Sequence, residues 1–117
     1  MEKLDEISFE KAAAGLDTLA VLCYENSKDK GFWVGKEPVS DGAEKIALMH
    51  SELSEALEVL RRDYWDDNCT DDLGEELADV IIRVLDYCGA FGLEIGTAVK
   101  VKMMKNKRRP HMHGKSF

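Results

Sequence analysis

The chain has 117 residues, of which 44% are hydrophobic and 33% are charged. This length suits one domain with a single core, and the composition is too apolar for a disordered chain. No apolar run reaches the roughly 18–20 residues that a membrane-spanning helix needs, and the acidic start of the chain is unlike a signal peptide. We therefore expect a single cytoplasmic domain over residues 1–117 with no membrane partner.

The net charge of −7 conceals an uneven distribution of charge along the chain. Residues 100–117 contain seven Lys or Arg and no acid, whereas residues 1–99 contain nine Lys or Arg against 23 Asp or Glu. An acidic body argues against nucleic-acid binding, which requires a broad basic face. The body is suited to holding cations and the basic end to meeting anions.

The three cysteines have no CxxC spacing and indicate neither a disulfide nor a zinc site.

Four helices are predicted from the spacing of apolar residues, and no segment alternates like a strand. The second begins with Asp41 and Glu44, which are spaced as in a capping box, and the third ends at Gly92, a typical C-terminal cap. The fourth ends before Pro110, which cannot continue a helix. The predicted helices cover about residues 8–27, 41–63, 72–91 and 94–108. The expected fold is all-α, an antiparallel bundle of about four helices.

Two pairs of acids stand out on the second and third predicted helices. Glu52 and Glu55 are three residues apart, as are Glu76 and Asp79, so each pair lies on one helix face together with apolar residues. Two helices joined by a short loop pack antiparallel, which can bring the two pairs opposite each other. Converging carboxylates repel one another unless a cation lies between them. The spacing therefore predicts that these four acids are metal ligands.

The identity of the metal follows from the residues that accompany the acids. Di-iron bundles use Glu-x-x-His on two helices, but His50, His111 and His113 do not follow an acid at that spacing here. All-oxygen ligation favours Mg²⁺, with Mn²⁺ as a substitute. The alternative is that the acids form surface salt bridges with Arg62 and Arg83 in a non-catalytic helical module that oligomerises or docks on a partner.

The basic end carries candidate anion-binding residues. Lys102, Asn106 and Arg109 are spaced by four and then three residues, so they can project from one face of the last helix, and Lys115 follows beyond Pro110. These groups either form a solvated basic end or clamp phosphate oxygens, for which arginine offers bidentate contact. Mg²⁺ usually shares its coordination shell with substrate phosphates, which links the basic end to the acids.

An aromatic pair, Phe32 and Trp33, lies in a loop bounded by glycines. The common role of such a pair is to cap the core of a helical bundle. The functional alternative is that Trp33 stacks on a nucleobase, because an indole ring offers a large flat apolar surface.

Five segments of the chain carry a family resemblance, namely Lys30-Gly-Phe-Trp, His50-Ser-Glu-Leu-Ser-Glu-Ala-Leu-Glu, Asp72-Leu-Gly-Glu-Glu-Leu-Ala-Asp-Val, Asn106-x-x-Arg-Pro and His113-Gly-Lys. Together they resemble the MazG-like all-α nucleoside triphosphate pyrophosphohydrolases. The resemblance covers roughly residues 28–117 and follows that family's order of ExxE, a gap, and ExxD, here Glu52-x-x-Glu55, twenty residues, and Glu76-x-x-Asp79.

The resemblance implies an activity and an assembly. Members cleave nucleoside triphosphates with Mg²⁺ to the monophosphate and pyrophosphate, and their relatives include dUTP- and dCTP-preferring and house-cleaning enzymes. They usually form dimers or tetramers of helical subunits, so we expect a homodimer or homotetramer here. By position, the acids of ExxE and ExxD would be metal ligands, and Lys102, Asn106 and Arg109 would contact phosphates.

The resulting hypothesis is metal-assisted hydrolysis of a nucleoside triphosphate. Glu55 is the predicted proton acceptor for the attacking water. Lys102 and Arg109, with Arg62 or Arg83, would neutralise the charge that develops on the leaving pyrophosphate. The sequence contains no pattern that specifies a base or a sugar.

Overall fold

Four α-helices account for most of residues 6–63 and 69–116, the part of the chain that the computed structural model describes. They are α1 (Glu6–Asp29), α2 (Gly42–Asp63), α3 (Cys69–Phe91) and α4 (Ile95–Lys107), followed by a short 3₁₀ turn at His111–Gly114. No strand occurs within these ranges. The predicted all-α class is therefore confirmed. None of the described helices has an apolar stretch long enough to traverse a bilayer.

Helix α3 is central to the arrangement because it packs against both α1 and α2, while α4 packs against α1. The main core lies between α1 and α3, where Ala20, Leu85 and Cys88 are buried. A buried leucine side chain contributes roughly 1.5–3 kcal/mol to the free energy of unfolding. The core is completed by partly buried residues from α1, α3 and the start of α4, namely Leu16, Cys23, Val84 and Ile95.

Glycine and aspartate determine how the helices approach and end. A Cβ atom at Gly89 would lie 2.6 Å from both the Ala20 carbonyl oxygen and the Tyr24 Cβ, so glycine permits close packing of α3 on α1. Gly92 ends α3 in the left-handed region at φ 80°, which confirms the predicted cap. At the start of α4, the Gly96 amide donates to Asp17 Oδ1 of α1 at 2.6 Å, so a side chain from another helix satisfies this free amide.

The start of α2 differs from the predicted capping box. Asp41 Oδ2 accepts a hydrogen bond from the Glu37 amide at 2.7 Å, and Glu44 pairs with Lys36 at 3.0 Å. Both acids therefore stabilise the loop that precedes α2, because that loop brings its own donors within reach. Helix α3 likewise begins at Cys69, upstream of the predicted cap at Asp72.

Candidate metal centre

Helices α2 and α3 pack antiparallel in a defined register. Near the start of α2, a Cβ atom at Gly42 would be 2.7 Å from the hydroxyl oxygen of Tyr87 on α3. Further along α2, Glu52 meets Arg83 of α3. Residue numbers that rise along α2 thus fall along α3, and this register brings the ExxE segment opposite the ExxD segment.

Three of the four predicted metal ligands converge at this position. One carboxylate oxygen from each of Glu52, Glu76 and Asp79 lies within 4.8 Å of the other two. Glu52 and Glu76 are partly buried, whereas Asp79 is exposed. We call these three residues the carboxylate cluster. Its donors are three hard carboxylate oxygens, so Mg²⁺ or Mn²⁺ held there would take its remaining ligands from water or phosphate oxygens.

Glu55 lies outside the carboxylate cluster among the described residues. Its side chain is exposed on α2. Its negative charge is nevertheless one of the influences that raise the pKa of Glu76, so it acts on the cluster electrostatically. Its assignments as a metal ligand and as the proton acceptor both remain predictions.

The pKa of Glu76 reflects crowding of negative charge. Burial raises this pKa most, and the charges of Asp79, Glu55, Glu52 and Glu75 raise it further. Both effects act against the ionised form, because burial removes water and like charges repel. A cation at the cluster would relieve this repulsion, so the electrostatics and the donor chemistry favour the same kind of ligand.

Arg83 partly neutralises the carboxylate cluster from α3. Its Nε atom donates to Glu52 Oε1 at 2.8 Å, and the two side chains are 34% and 16% exposed, respectively. Arg62, the other arginine predicted to contact substrate, is exposed in the last turn of α2.

A cavity of about 330 Å³ adjoins the carboxylate cluster and includes Glu52 and Asp79 in its wall. Its volume lies within the roughly 300–1,000 Å³ typical of small-molecule sites. The cavity reaches from the cluster towards α1 and the loop after it. Its other lining residues are Cys23, Asn26, Ser27, Lys30, Phe32, Lys45, Ile82, Arg83 and Asp86.

Trp33 is 9% exposed and is packed beside this cavity without lining it. Its Nε1 donates to Asp86 Oδ1 at 2.8 Å, and its ring meets the edge of Tyr24 with the centroids 5.8 Å apart. The Lys45 ammonium lies 4.3 Å from the Trp33 ring centroid. Trp33 thus holds two cavity residues, whereas its neighbour Phe32, which is 59% exposed, lines the cavity itself. Stacking of a base on Trp33 remains a prediction.

The predicted phosphate-binding residues lie at or beyond the C-terminal half of α4. Lys102, Arg109 and Lys115 are exposed, and Asn106 is partly buried with its Oδ1 lacking a hydrogen-bond partner. Within residues 6–63 and 69–116, no hydrogen bond or ion pair joins these four residues to the carboxylate cluster. Helix α4, which carries Lys102 and Asn106, packs against α1.

Lys45, like Asp86, is a cavity residue that the sequence analysis missed. It is 9% exposed and donates to the Phe32 carbonyl oxygen at 3.1 Å. The available signal was its position seven residues before Glu52, which places both on the same face of α2. A helical lysine is ordinarily solvated, so this spacing alone does not indicate a buried ammonium.

Comparisons of the chain with protein-family models, with curated proteins and with solved structures found no match. The resemblance to the MazG-like family therefore depends on the order and spacing of the sequence motifs.

Proposed function

We propose that this chain is a MazG-like, Mg²⁺-dependent nucleoside triphosphate pyrophosphohydrolase that releases a nucleoside monophosphate and pyrophosphate. The observation that carries the proposal is the convergence of Glu52, Glu76 and Asp79 beside a cavity of about 330 Å³. A triphosphate needs a cation for its phosphates and an enclosed space for its nucleoside. The register of α2 and α3 brings three candidate cation ligands next to this cavity.

The proposed roles follow from where the side chains lie. The carboxylate cluster would hold the ion, and bound Mg²⁺ supplies a water of lowered pKa and polarises a phosphate oxygen. Glu55, exposed beside the cluster, would accept the proton of the water that attacks the α-phosphorus. The bond between the α-phosphorus and the oxygen that bridges it to the β-phosphorus would then break, and pyrophosphate would leave. Arg83, which lines the cavity, would offset the charge on the leaving group.

We further propose that the subunits form a homodimer or homotetramer. The chain has an accessible surface of 9044 Å², against about 6,400 Å² expected for a folded monomer of its mass. The excess is of the size that stable oligomer interfaces bury. Large apolar side chains are exposed along the two helices that carry the acids, among them Ile46, Leu53, Leu57, Leu60, Leu77 and Ile81.

A second subunit would also explain the position of the basic end. Lys102, Asn106, Arg109 and Lys115 make no direct contact with the carboxylate cluster among the residues described in one chain. In an oligomer they would reach the triphosphate bound to a neighbouring subunit. The phosphate clamp would then be shared between two chains.

The exposed apolar residues on α2 and α3 also favour a second candidate function. This candidate is a non-catalytic helical module that oligomerises or docks on a partner. Under that alternative the acids are ordinary surface groups, and such ion pairs contribute only about 0–1 kcal/mol each. Alanine at Glu52, Glu55, Glu76 and Asp79 would then change stability little, and Mg²⁺ would not raise the melting temperature.

The decisive experiment combines catalysis with a thermal melt. Standard, deoxy and damaged nucleoside triphosphates are incubated with the protein and Mg²⁺, and pyrophosphate release is measured. The enzyme proposal predicts release from at least one nucleotide and a higher melting temperature with Mg²⁺. It also predicts that the variant lacking all four acids is more stable without metal and gains nothing from Mg²⁺. No release and no effect of Mg²⁺ on melting would favour the non-catalytic module.

A further inference from the structure

The cavity beside the carboxylate cluster has two chemically different ends. Glu52 and Asp79 lie at one end, and Lys45 and Asp86 line the other. Lys45 precedes Glu52 by seven residues on α2, and Asp86 follows Asp79 by seven residues on α3. Because the helices are antiparallel and rise 1.5 Å per residue, each separates the two ends by about 10 Å. This is the scale of a nucleoside between its 5′ phosphate and the far edge of its base.

Lys45 places a fixed hydrogen-bond donor at the far end. Its side chain is held by the Phe32 carbonyl oxygen at 3.1 Å and by the Trp33 ring, whose centroid is 4.3 Å away. An ammonium group has three donor hydrogens and no acceptor. One of the three serves Phe32, so the group can donate further into the cavity but cannot accept.

Asp86 places a fixed acceptor beside it. The indole Nε1 of Trp33 donates to Oδ1 of Asp86 at 2.8 Å and so orients the carboxylate. Among the described residues, no hydrogen bond engages the other oxygen, Oδ2. An ionised carboxylate only accepts hydrogen bonds. Trp33 therefore fixes a donor and an acceptor at the same end of the cavity.

Resting on the proposed function, we propose that Lys45 and Asp86 read the edge of the nucleobase and select bases that present a carbonyl beside a ring N–H. Uracil, thymine, guanine and hypoxanthine have this edge, with the carbonyl facing Lys45 and the N–H facing Asp86. Cytosine and adenine present an amino group and an unprotonated ring nitrogen in the same places. In that orientation, binding them would set donor against donor and acceptor against acceptor, which leaves buried polar groups unpaired.

Two neutral polar residues of the cavity, Asn26 and Ser27, do not make this choice. Asn26 has an amide and Ser27 has a hydroxyl, and each of these groups can both donate and accept. They can therefore adapt to either kind of base edge. The lysine ammonium and the aspartate carboxylate cannot, so they determine the preference.

The test uses two pairs of substrates that differ only at this edge, dUTP with dCTP and dITP with dATP. For the wild-type protein with Mg²⁺, we expect kcat/KM for pyrophosphate release to be at least tenfold higher for the first member of each pair. Asp86→Asn keeps an oxygen that accepts from Trp33 and replaces Oδ2 with an amide NH₂ group, which donates hydrogen bonds. We expect this variant to reduce the ratio of the two kcat/KM values about tenfold in both pairs. Lys45→Gln should also reduce this ratio. Asp71→Asn, exposed in the first turn of α3, is the matched control and should leave the ratios unchanged.

The outcomes separate this inference from the proposed function. Pyrophosphate release without a preference, or with a preference that both variants retain, overturns the inference and leaves the pyrophosphohydrolase proposal standing. No release from any of the four nucleotides overturns the inference, and the pyrophosphohydrolase proposal then falls only if the wider nucleotide panel also yields no pyrophosphate. If the variants do not fold, inhibition of the wild-type enzyme by dUMP and dCMP decides the matter. We expect an inhibition constant at least tenfold lower for dUMP, and equal constants would overturn the inference.

Discussion

Arg83 Nε donates a hydrogen bond to Glu52 Oε1 at 2.8 Å, so a cationic side chain of α3 already contacts the carboxylate cluster. A metal ion at the cluster would share Glu52 with this guanidinium and would be repelled by its charge.

We therefore expect Arg83→Gln to bind Mn²⁺ roughly tenfold more tightly than the wild type, a difference of about 1.4 kcal/mol. Isothermal titration calorimetry measures the dissociation constant directly. Arg61→Gln is the control, because Arg61 pairs with Glu58 on the surface at 3.9 Å. Weaker Mn²⁺ binding by Arg83→Gln would contradict this expectation and would mean that Arg83 holds Glu52 in position for the ion.

Neutralising Asp79 and neutralising Glu55 should separate metal binding from proton transfer. We expect Asp79→Asn and Glu55→Gln each to lower kcat by roughly 10²-fold or more, with helical circular dichroism unchanged. Because Asp79 belongs to the carboxylate cluster and Glu55 acts on it only through its charge, Asp79→Asn should weaken Mn²⁺ binding far more than Glu55→Gln does. Glu58→Gln, in the next turn of α2, is the control. Near-normal turnover in either variant would count against the mechanism.

The raised pKa of Glu76 predicts how stability depends on pH in the absence of metal. The folded state binds the Glu76 proton more tightly than the unfolded state does, so protonation of Glu76 adds to the free energy of unfolding. This contribution is fully present below the unfolded-state pKa. It is lost as the pH rises through the higher folded-state pKa. We expect the free energy of unfolding, measured with urea in the presence of EDTA, to fall across that window. Glu76→Gln should flatten the fall, and an identical pH profile in this variant would refute the prediction.

Close packing of α3 on α1 predicts a contrast between two glycines. Gly89→Ala should lower the free energy of unfolding by about 1–3 kcal/mol, because the added methyl group would meet the Ala20 carbonyl oxygen, a backbone atom. Gly15→Ala, in α1 with nothing within 4 Å of the new atom, should raise it by up to about 1 kcal/mol. Thermal or urea unfolding measures both, and a harmless Gly89→Ala would contradict the described approach of the two helices.

Apolar periodicity and the acid spacing, both local properties, were enough to predict the helices and their approximate bounds. Of the apolar pattern on α3, Val84, Leu85 and Cys88 pack in the core, whereas Leu77 and Ile81 are exposed. The ExxE and ExxD pairs were likewise visible, since residues three apart share a helix face. The cap at Gly92 was also predictable, because glycine readily adopts the left-handed conformation that ends a helix.

The tertiary structure decided which of these groups meet. Spacing treats Glu52 and Glu55 alike, yet the register of α2 on α3 brings Glu52 to Glu76 and Asp79 and leaves Glu55 exposed. The burial of Lys45 beside Trp33 depends on a loop that folds back over two helices, which helical spacing does not encode. Local sequence determines which face a side chain occupies. Packing between distant segments determines what that face meets, because it depends on how all the helices fit together.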